Sequence, residues 1–214
     1  MICVSLMEKN ADDILKVLSG FDFAEVRLDG FRPTPDDAKK IFSHPGKLIA
    51  TMRPGDRPDE ERLAVLVAAI EAGADYVDVE LDSPPLITEG IMAAARRYDC
   101  GVIVSFHDFA GTPTRKELGK IVDGCFSMGA DIAKIACVTN STGDCARLLG
   151  VLDDERPIVA VGMGKLGRIT RIAAPLLGSP FTFASPSIGK ETAEGQIDAS
   201  TLKRIMEEIG SGSH

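Results

Sequence analysis

The sequence predicts an α/β chain folded as a (β/α)8 TIM barrel, and three observations carry that reading. Short β-rich apolar runs alternate with helix-periodic segments from one end to the other. Eight such units can be counted, and no shift in composition divides them. Its 214 residues suit one catalytic domain over 1–210, with Gly210-Ser211-Gly212-Ser213-His214 read as the entry to a flexible tail over 211–214. A doubly wound open sheet is the structural alternative. No Gly-x-Gly-x-x-Gly follows the first strand, which weakens its dinucleotide-binding version.

The strands fall near 2–6, 23–28, 47–52, 75–80, 101–106, 131–136, 157–161 and 180–184. Between them the apolar spacing changes to the helical period. Leu63, Leu66, Val67 and Ile70 form one face, Leu118, Ile121, Val122 and Cys125 another, and Leu202, Ile205, Met206 and Ile209 a third. Thr34 precedes Pro35 as a helix cap, and Gly73 and Gly129 stand where helices should stop. Gly162, Gly164 and Gly167 have dinucleotide-loop spacing, but after the seventh strand; in a barrel that region lines the substrate pocket or binds phosphate.

Composition narrows the function. Apolar residues make up 44% and charged residues 26%, ordinary for a soluble globular protein. A formal net charge of −8 argues against a nucleic-acid binder, while leaving room for a local cationic pocket around a small anion. No apolar stretch approaches the roughly 18 residues of a membrane span, and the first residues read as a strand rather than a signal peptide. Five cysteines without CxxC spacing read as reduced core residues of a cytoplasmic protein. None of the three histidines pairs with another histidine or a cysteine at metal-ligand spacing, so no metal is expected.

Strand parity sorts the polar residues. Glu25, Arg27 and Asp29 share one face of the second strand, Thr51 and Arg53 one face of the third, and Asp78 and Glu80 one face of the fourth. Ser105 and His107 follow on the fifth and Lys134 on the sixth, each opposite apolar neighbours that can meet the helices. The polar face should therefore line the barrel interior near the C-terminal strand ends, where sites of this architecture are built. Buried charges there must pair or face a ligand.

Lys134 lies within Ala130-Asp131-Ile132-Ala133-Lys134-Ile135-Ala136-Cys137, and burial favours the uncharged, nucleophilic amine. An amine able to attack a carbonyl, with an imidazole at His107 able to move a proton, suggests Schiff-base chemistry. A class I aldolase would use the same amine. A catalytically silent anion-binding barrel is the non-enzyme alternative.

Several segments together resemble the type I 3-dehydroquinate dehydratases. They are Glu25-Val26-Arg27-Leu28-Asp29, Ser105-Phe106-His107-Asp108-Phe109, Ala130 to Lys134, Met163 to Arg171, Gly178 to Phe183 and Gly195-Gln196-Ile197. The resemblance spans nearly the whole chain in order. It implies a (β/α)8 barrel in compact form without an N-terminal hairpin, a cytoplasmic homodimer of the shikimate pathway, and no cofactor. The substrate would be 3-dehydroquinate, dehydrated by syn elimination to 3-dehydroshikimate. By motif position Lys134 would form the imine and His107 transfer protons, while Glu25, Arg27, Arg53, Arg171, Thr192 and Gln196 contact substrate. Ser5, Asp29, Asp78 and Glu80 would support the site, and Met163 and Phe183 wall it. Two departures stand out. After Arg53 the chain runs Pro54-Gly55-Asp56-Arg57-Pro58 where many members carry Glu-Gly-Gly, leaving the acid that orients the histidine unassigned among Glu60, Glu61 and Glu80. Ala193-Glu194-Gly195-Gln196 replaces Ala-Pro-Gly-Gln, in a run, Ser185 to Glu194, composed as either a lid or a surface loop.

Overall fold

The computed structural model describes residues 1–211. Its strands are β1 (Ile2–Leu6), β2 (Phe23–Arg27), β3 (Lys47–Thr51), β4 (Tyr76–Glu80), β5 (Gly101–Asp108), β6 (Ile132–Val138), β7 (Ile158–Met163) and β8 (Thr182–Ala184). The helices are α1 (Ala11–Leu18), α2 (Pro35–Phe42), α3 (Asp59–Glu71), α4 (Pro85–Tyr98), α5 (Arg115–Ser127), α6 (Thr142–Leu149), α7 (Gly164–Leu176) and α8 (Ala199–Ser211), each following its strand. The strands form a parallel sheet in the order β7-β6-β5-β4-β3-β2-β1-β8. This is the (β/α)8 arrangement. Of the tail expected over 211–214, Ser211 closes α8, and residues 212–214 lie outside the described residues.

Local chemistry sets the boundaries. Thr34 caps α2 reciprocally with Asp37, with Pro35 in the first turn where a missing N–H costs nothing. Gly73 and Gly129 have φ of +110° and +103°, the left-handed geometry that ends α3 and α5. The second strand stops at Arg27 rather than Leu28, because Leu28–Gly30 turn into a 3-10 helix. β8 begins at Thr182, two residues after Pro180, which has no N–H for a ladder. β5 and β6 run on to Asp108 and Val138, so His107 lies within its strand.

The chain forms two compact units: Leu6–Ser105 with Phe126–Asp131, and Met1–Ser5 with Phe106–Cys125 and the described residues from Ile132 onward. The first holds the β2–β3 pairing from Phe23↔Lys47 to Arg27↔Thr51, and the β4–β5 pairing from Tyr76↔Gly101 to Glu80↔Ser105. Two Gly-Ala-Asp segments repeat there. Asp75 accepts the N–H of Leu48 at 2.8 Å and Asp131 that of Val102 at 2.7 Å, each tying down the start of an earlier strand. Leu66, Ile70, Ile87 and Ile91 fill the core of this unit. Of the face expected on α3, Leu66 and Ile70 are buried while Leu63 and Val67 are half-buried.

The second unit pairs β6 with β7, Ala133↔Ile158 through Val138↔Met163, and β1 with β8, Ile2↔Thr182 through Val4↔Ala184. Ala184, Ile197 and Leu202 form a cluster joined by Ile2, Ile172 and Met206, which joins β8 to α7 and α8. Burying a side chain such as Leu202 contributes roughly 1.5–3 kcal/mol. The glycines of the 162–167 run have a packing role: a Cβ on Gly167 would lie 2.3 Å from the Gly162 carbonyl carbon, so α7 rests backbone to backbone on β7.

All five cysteines are free and buried. Burial, reinforced by Asp75 and Asp131, pushes the Cys100 thiol up to about 12. Burial and Asp108 do the same for Cys137, also to about 12. Among the described residues, no helix is long and apolar enough to cross a membrane, and no cluster of histidine, cysteine and acidic side chains could hold a metal ion.

Candidate active site

One unit carries Lys134, His107, Arg171, Ser5, Met163, Phe183, Thr192 and Gln196. Lys134 is only 6% exposed in the middle of β6, and its Nζ stands 4.3 Å from the centroid of the Phe183 ring on β8. The aromatic face opposite the amine leaves it a dry, polarisable wall. Met163, at the end of β7, is also buried.

His107 stacks on Phe109 at 6.0 Å between centroids and 13° between planes. The chain beyond it is pinned. Asp108 Oδ1 accepts the N–H groups of Ala110 and Gly111 at 2.8 and 3.0 Å, an Asx turn. Asn140 Nδ2 donates to the Ala110 carbonyl at 3.0 Å, and Thr112 Oγ1 to the Val138 carbonyl at 2.8 Å. The loop after the histidine is thus fastened to the loop after the lysine strand. These anchors were missed in the sequence; an Asp-x-Ala-Gly turn after an apolar run was their signal.

Arg171, one turn along α7 from Gly167, is 1% exposed and donates from Nη1 to the Phe183 carbonyl at 3.4 Å. Gln196 is locked to Thr192: its Oε1 accepts the Thr192 N–H at 2.8 Å, and its Nε2 donates to Thr192 Oγ1 at 3.1 Å. This pair fixes the loop end without the proline that the family places there. Within that loop Ser187 to Glu191 are exposed.

The other unit carries Glu25, Arg27, Asp29, Arg53, Asp78 and Glu80, and its ion network is dense. Arg53 Nη1 donates to Asp78 Oδ1 at 2.7 Å and to Ser105 Oγ at 3.1 Å, and lies 3.7 Å from Glu80 Oε1. Ser105 in turn donates to Asp78 at 2.7 Å. Burial works against the Arg53 charge, yet Asp78, Glu25 and Glu80 outweigh it and hold this guanidinium above its ordinary value. Glu25 accepts the Thr51 hydroxyl at 3.0 Å.

Asp29 corrects the parity reading. It lies in the 3-10 turn rather than on β2, and the turn brings its carboxylate back onto Arg27. The fork is bidentate, Nε to Oδ1 at 2.9 Å and Nη2 to Oδ2 at 2.6 Å. Burial lowers the Arg27 charge preference, and Asp29 and Glu25 more than restore it. Glu61 lies 3.6 Å from Arg57, and its side chain is 59% exposed.

Comparison with known proteins follows the same lines. A family model described as type I 3-dehydroquinase matches residues 2–213. The 3-dehydroquinate dehydratase of Methanothermobacter thermautotrophicus is 37% identical over 221 residues, covering 97% of this chain and 96% of that protein. Among solved structures, 3-dehydroquinate dehydratase from Geobacillus kaustophilus superposes with a TM-score of 0.87 at 26% identity, over 100% of this chain and 92% of its own. The type I enzyme from Clostridium difficile, with covalently modified comenic acid, gives 0.87 at 25% identity over 99% and 92%.

Proposed function

Because this chain belongs to the type I 3-dehydroquinase family, we propose that it is the 3-dehydroquinate dehydratase of the shikimate pathway, a hydro-lyase acting through a Lys134 imine. The observation that carries the mechanism is the Lys134 amine itself. It is buried over the Phe183 ring, in one compact unit with His107, Arg171 and Gln196. The covalently modified ligand described for the Clostridium difficile relative accords with covalent chemistry.

The Lys134 amine adds to the substrate ketone, and expelling that oxygen as water leaves an iminium. The iminium withdraws electrons from the adjacent carbon. His107 takes a proton from that carbon, and the electron pair moves toward nitrogen to give an enamine. As the pair returns, the β-hydroxyl leaves, protonated by the same imidazole as a second water. Addition of water to the conjugated iminium then frees product and lysine. The balance is one water lost per turnover, with no electron acceptor and no cofactor. Arg171 suits the substrate carboxylate, being a buried guanidinium. Contact roles for Glu25, Arg27, Arg53, Thr192 and Gln196 follow from the family resemblance. In its own unit Arg53 is held by Asp78 and Glu80, so we assign these two, with Asp29 on Arg27, the work of fixing cations rather than touching substrate.

The test is an ultraviolet assay for the conjugated enone. Product should accumulate from 3-dehydroquinate and from neither pyruvate nor sugar phosphates. Turnover of either control in its place would move the chain to the aldolases, and inertness toward all three would favour a silent binder.

A cytoplasmic setting accords with five free cysteines. We further propose that the chain pairs with a second copy through α7. Leu166, Ile169 and Leu176 on this helix and Leu177 at its C-cap are 45–55% exposed and form one stripe. Its first turns carry Lys165 and Arg168 at the positive end of the helix dipole, where a cation is misplaced, and its last turn carries no basic residue. Antiparallel pairing with a second α7 sets each cation pair against the partner's carbonyl end, a two-fold arrangement. Ile169→Glu should halve the mass measured by sedimentation. An unchanged mass refutes the α7 interface.

A further inference from the structure

Buried side-chain oxygens without a partner are uncommon, and each calls for an explanation. β8 and the residue after it present two, Thr182 Oγ1 and Ser185 Oγ. Ser185 is fully buried, and its backbone is already used: the N–H donates to the Ile197 carbonyl at 3.0 Å, and its carbonyl accepts from Ala199 at 2.9 Å. Only the hydroxyl is unsatisfied.

Alternation along the strand says where the two hydroxyls point. Ala184 packs with Leu202, Ile172 and Met206, so the even-numbered positions face the helices, and Thr182 goes with them. Phe183 faces the other way, onto the Lys134 amine. Ser185 lies one residue past the end of β8, but its parallel bridge to Asp198 keeps the chain extended there, so it continues the alternation onto that side, about 6.6 Å beyond Phe183. The β1–β8 register, carried one step past Val4↔Ala184, sets Ser5 beside it, itself 1% exposed. Ser185 thus faces the same space as the amine, at the entrance to the loop that ends on Gln196.

We infer that Ser185 is a further substrate-contacting residue, its hydroxyl reserved for a hydrogen bond to a hydroxyl or carboxylate oxygen of a polyhydroxylated cyclic keto acid bound at Lys134. The inference rests on the imine reading of that lysine. A buried hydroxyl without a partner is unfavourable, and a hydrogen bond to a ligand oxygen removes that penalty.

The test uses Ser185→Ala and the near-isosteric Ser185→Cys, a weak donor. Both should raise KM for 3-dehydroquinate about 3- to 10-fold, the loss of one neutral hydrogen bond, with kcat within about twofold. Neither should lower the unfolding temperature, because no bond within the protein is lost. On an analogue lacking the contacted hydroxyl, wild type and Ser185→Ala should share one KM; if every deoxy analogue preserves the difference, the partner is the carboxylate. An unchanged KM in both variants overturns the inference. So does a lowered unfolding temperature with unchanged KM, which marks a structural hydroxyl. Failure of borohydride to label Lys134 in the wild type overturns the imine reading instead, so the two failures are distinct.

Discussion

Lys134→Ala protein should lose turnover by a factor on the order of 10⁴–10⁶, the scale seen when a covalent nucleophile is removed from a site whose other groups act only through it. Incubation of wild type with 3-dehydroquinate and borohydride should leave a reduced adduct, and digestion should place it on the peptide containing Lys134. The variant should take no label. Lys134→Met is the informative companion, because its unbranched apolar stem can fill the space above Phe183 without an amine. It should fold at least as stably as the wild type and remain inactive, which separates lost chemistry from lost packing. Residual activity within about tenfold of wild type, or an adduct on another lysine, would remove Lys134 from the centre of the mechanism.

His107→Ala should show the opposite split. The imine needs only the amine and the ketone, so labelling at Lys134 persists. Proton transfer then falls to solvent, and kcat should drop on the order of 10²–10⁴-fold. Because the covalent complex forms but does not proceed, it should accumulate, and mass spectrometry of the unreduced mixture should find more adduct than in wild type. Undiminished kcat would exclude the imidazole from the rate-limiting proton transfers. Loss of labelling would show that it acts before the imine forms.

The strands were legible because a parallel sheet covered by helices demands apolar, β-branched runs of limited length, and all eight expected runs became strands. The cap at Thr34 and the stops at Gly73 and Gly129 were readable because each depends on one local backbone requirement. Parity placed Thr51 with Glu25, and Arg53 with Asp78, on faces that turned out to share hydrogen bonds. It failed at Asp29, where period-two reasoning was carried beyond the end of the strand. It was silent on Ser185, which a sequence shows only as one more loop serine. A missing hydrogen-bond partner is a property of coordinates. The paired Gly-Ala-Asp segments were visible as text, but their purpose appears only when each carboxylate is seen holding the start of a strand two elements back along the chain. Division of the chain into two compact units left no mark on composition.

The contact between Gly162 and Gly167 has a bearing on how this site could change. Arg171 is mounted one helical turn beyond that contact, so the helix acts as a rigid arm whose pivot is the bare backbone of β7. A single methyl group at the pivot must push the arm outward by about 1 Å or more, since a Cβ at Gly167 meets carbonyl atoms at 2.3 and 2.4 Å. Displacement on that scale can cost about 10²-fold in rate even far from the reacting atoms. The reach of the arginine is therefore set by two positions that carry no side chain. The wall over the Lys134 amine can be reshaped by substituting the Phe183 side chain, whereas the seat of Arg171 is a fixed dimension of the scaffold.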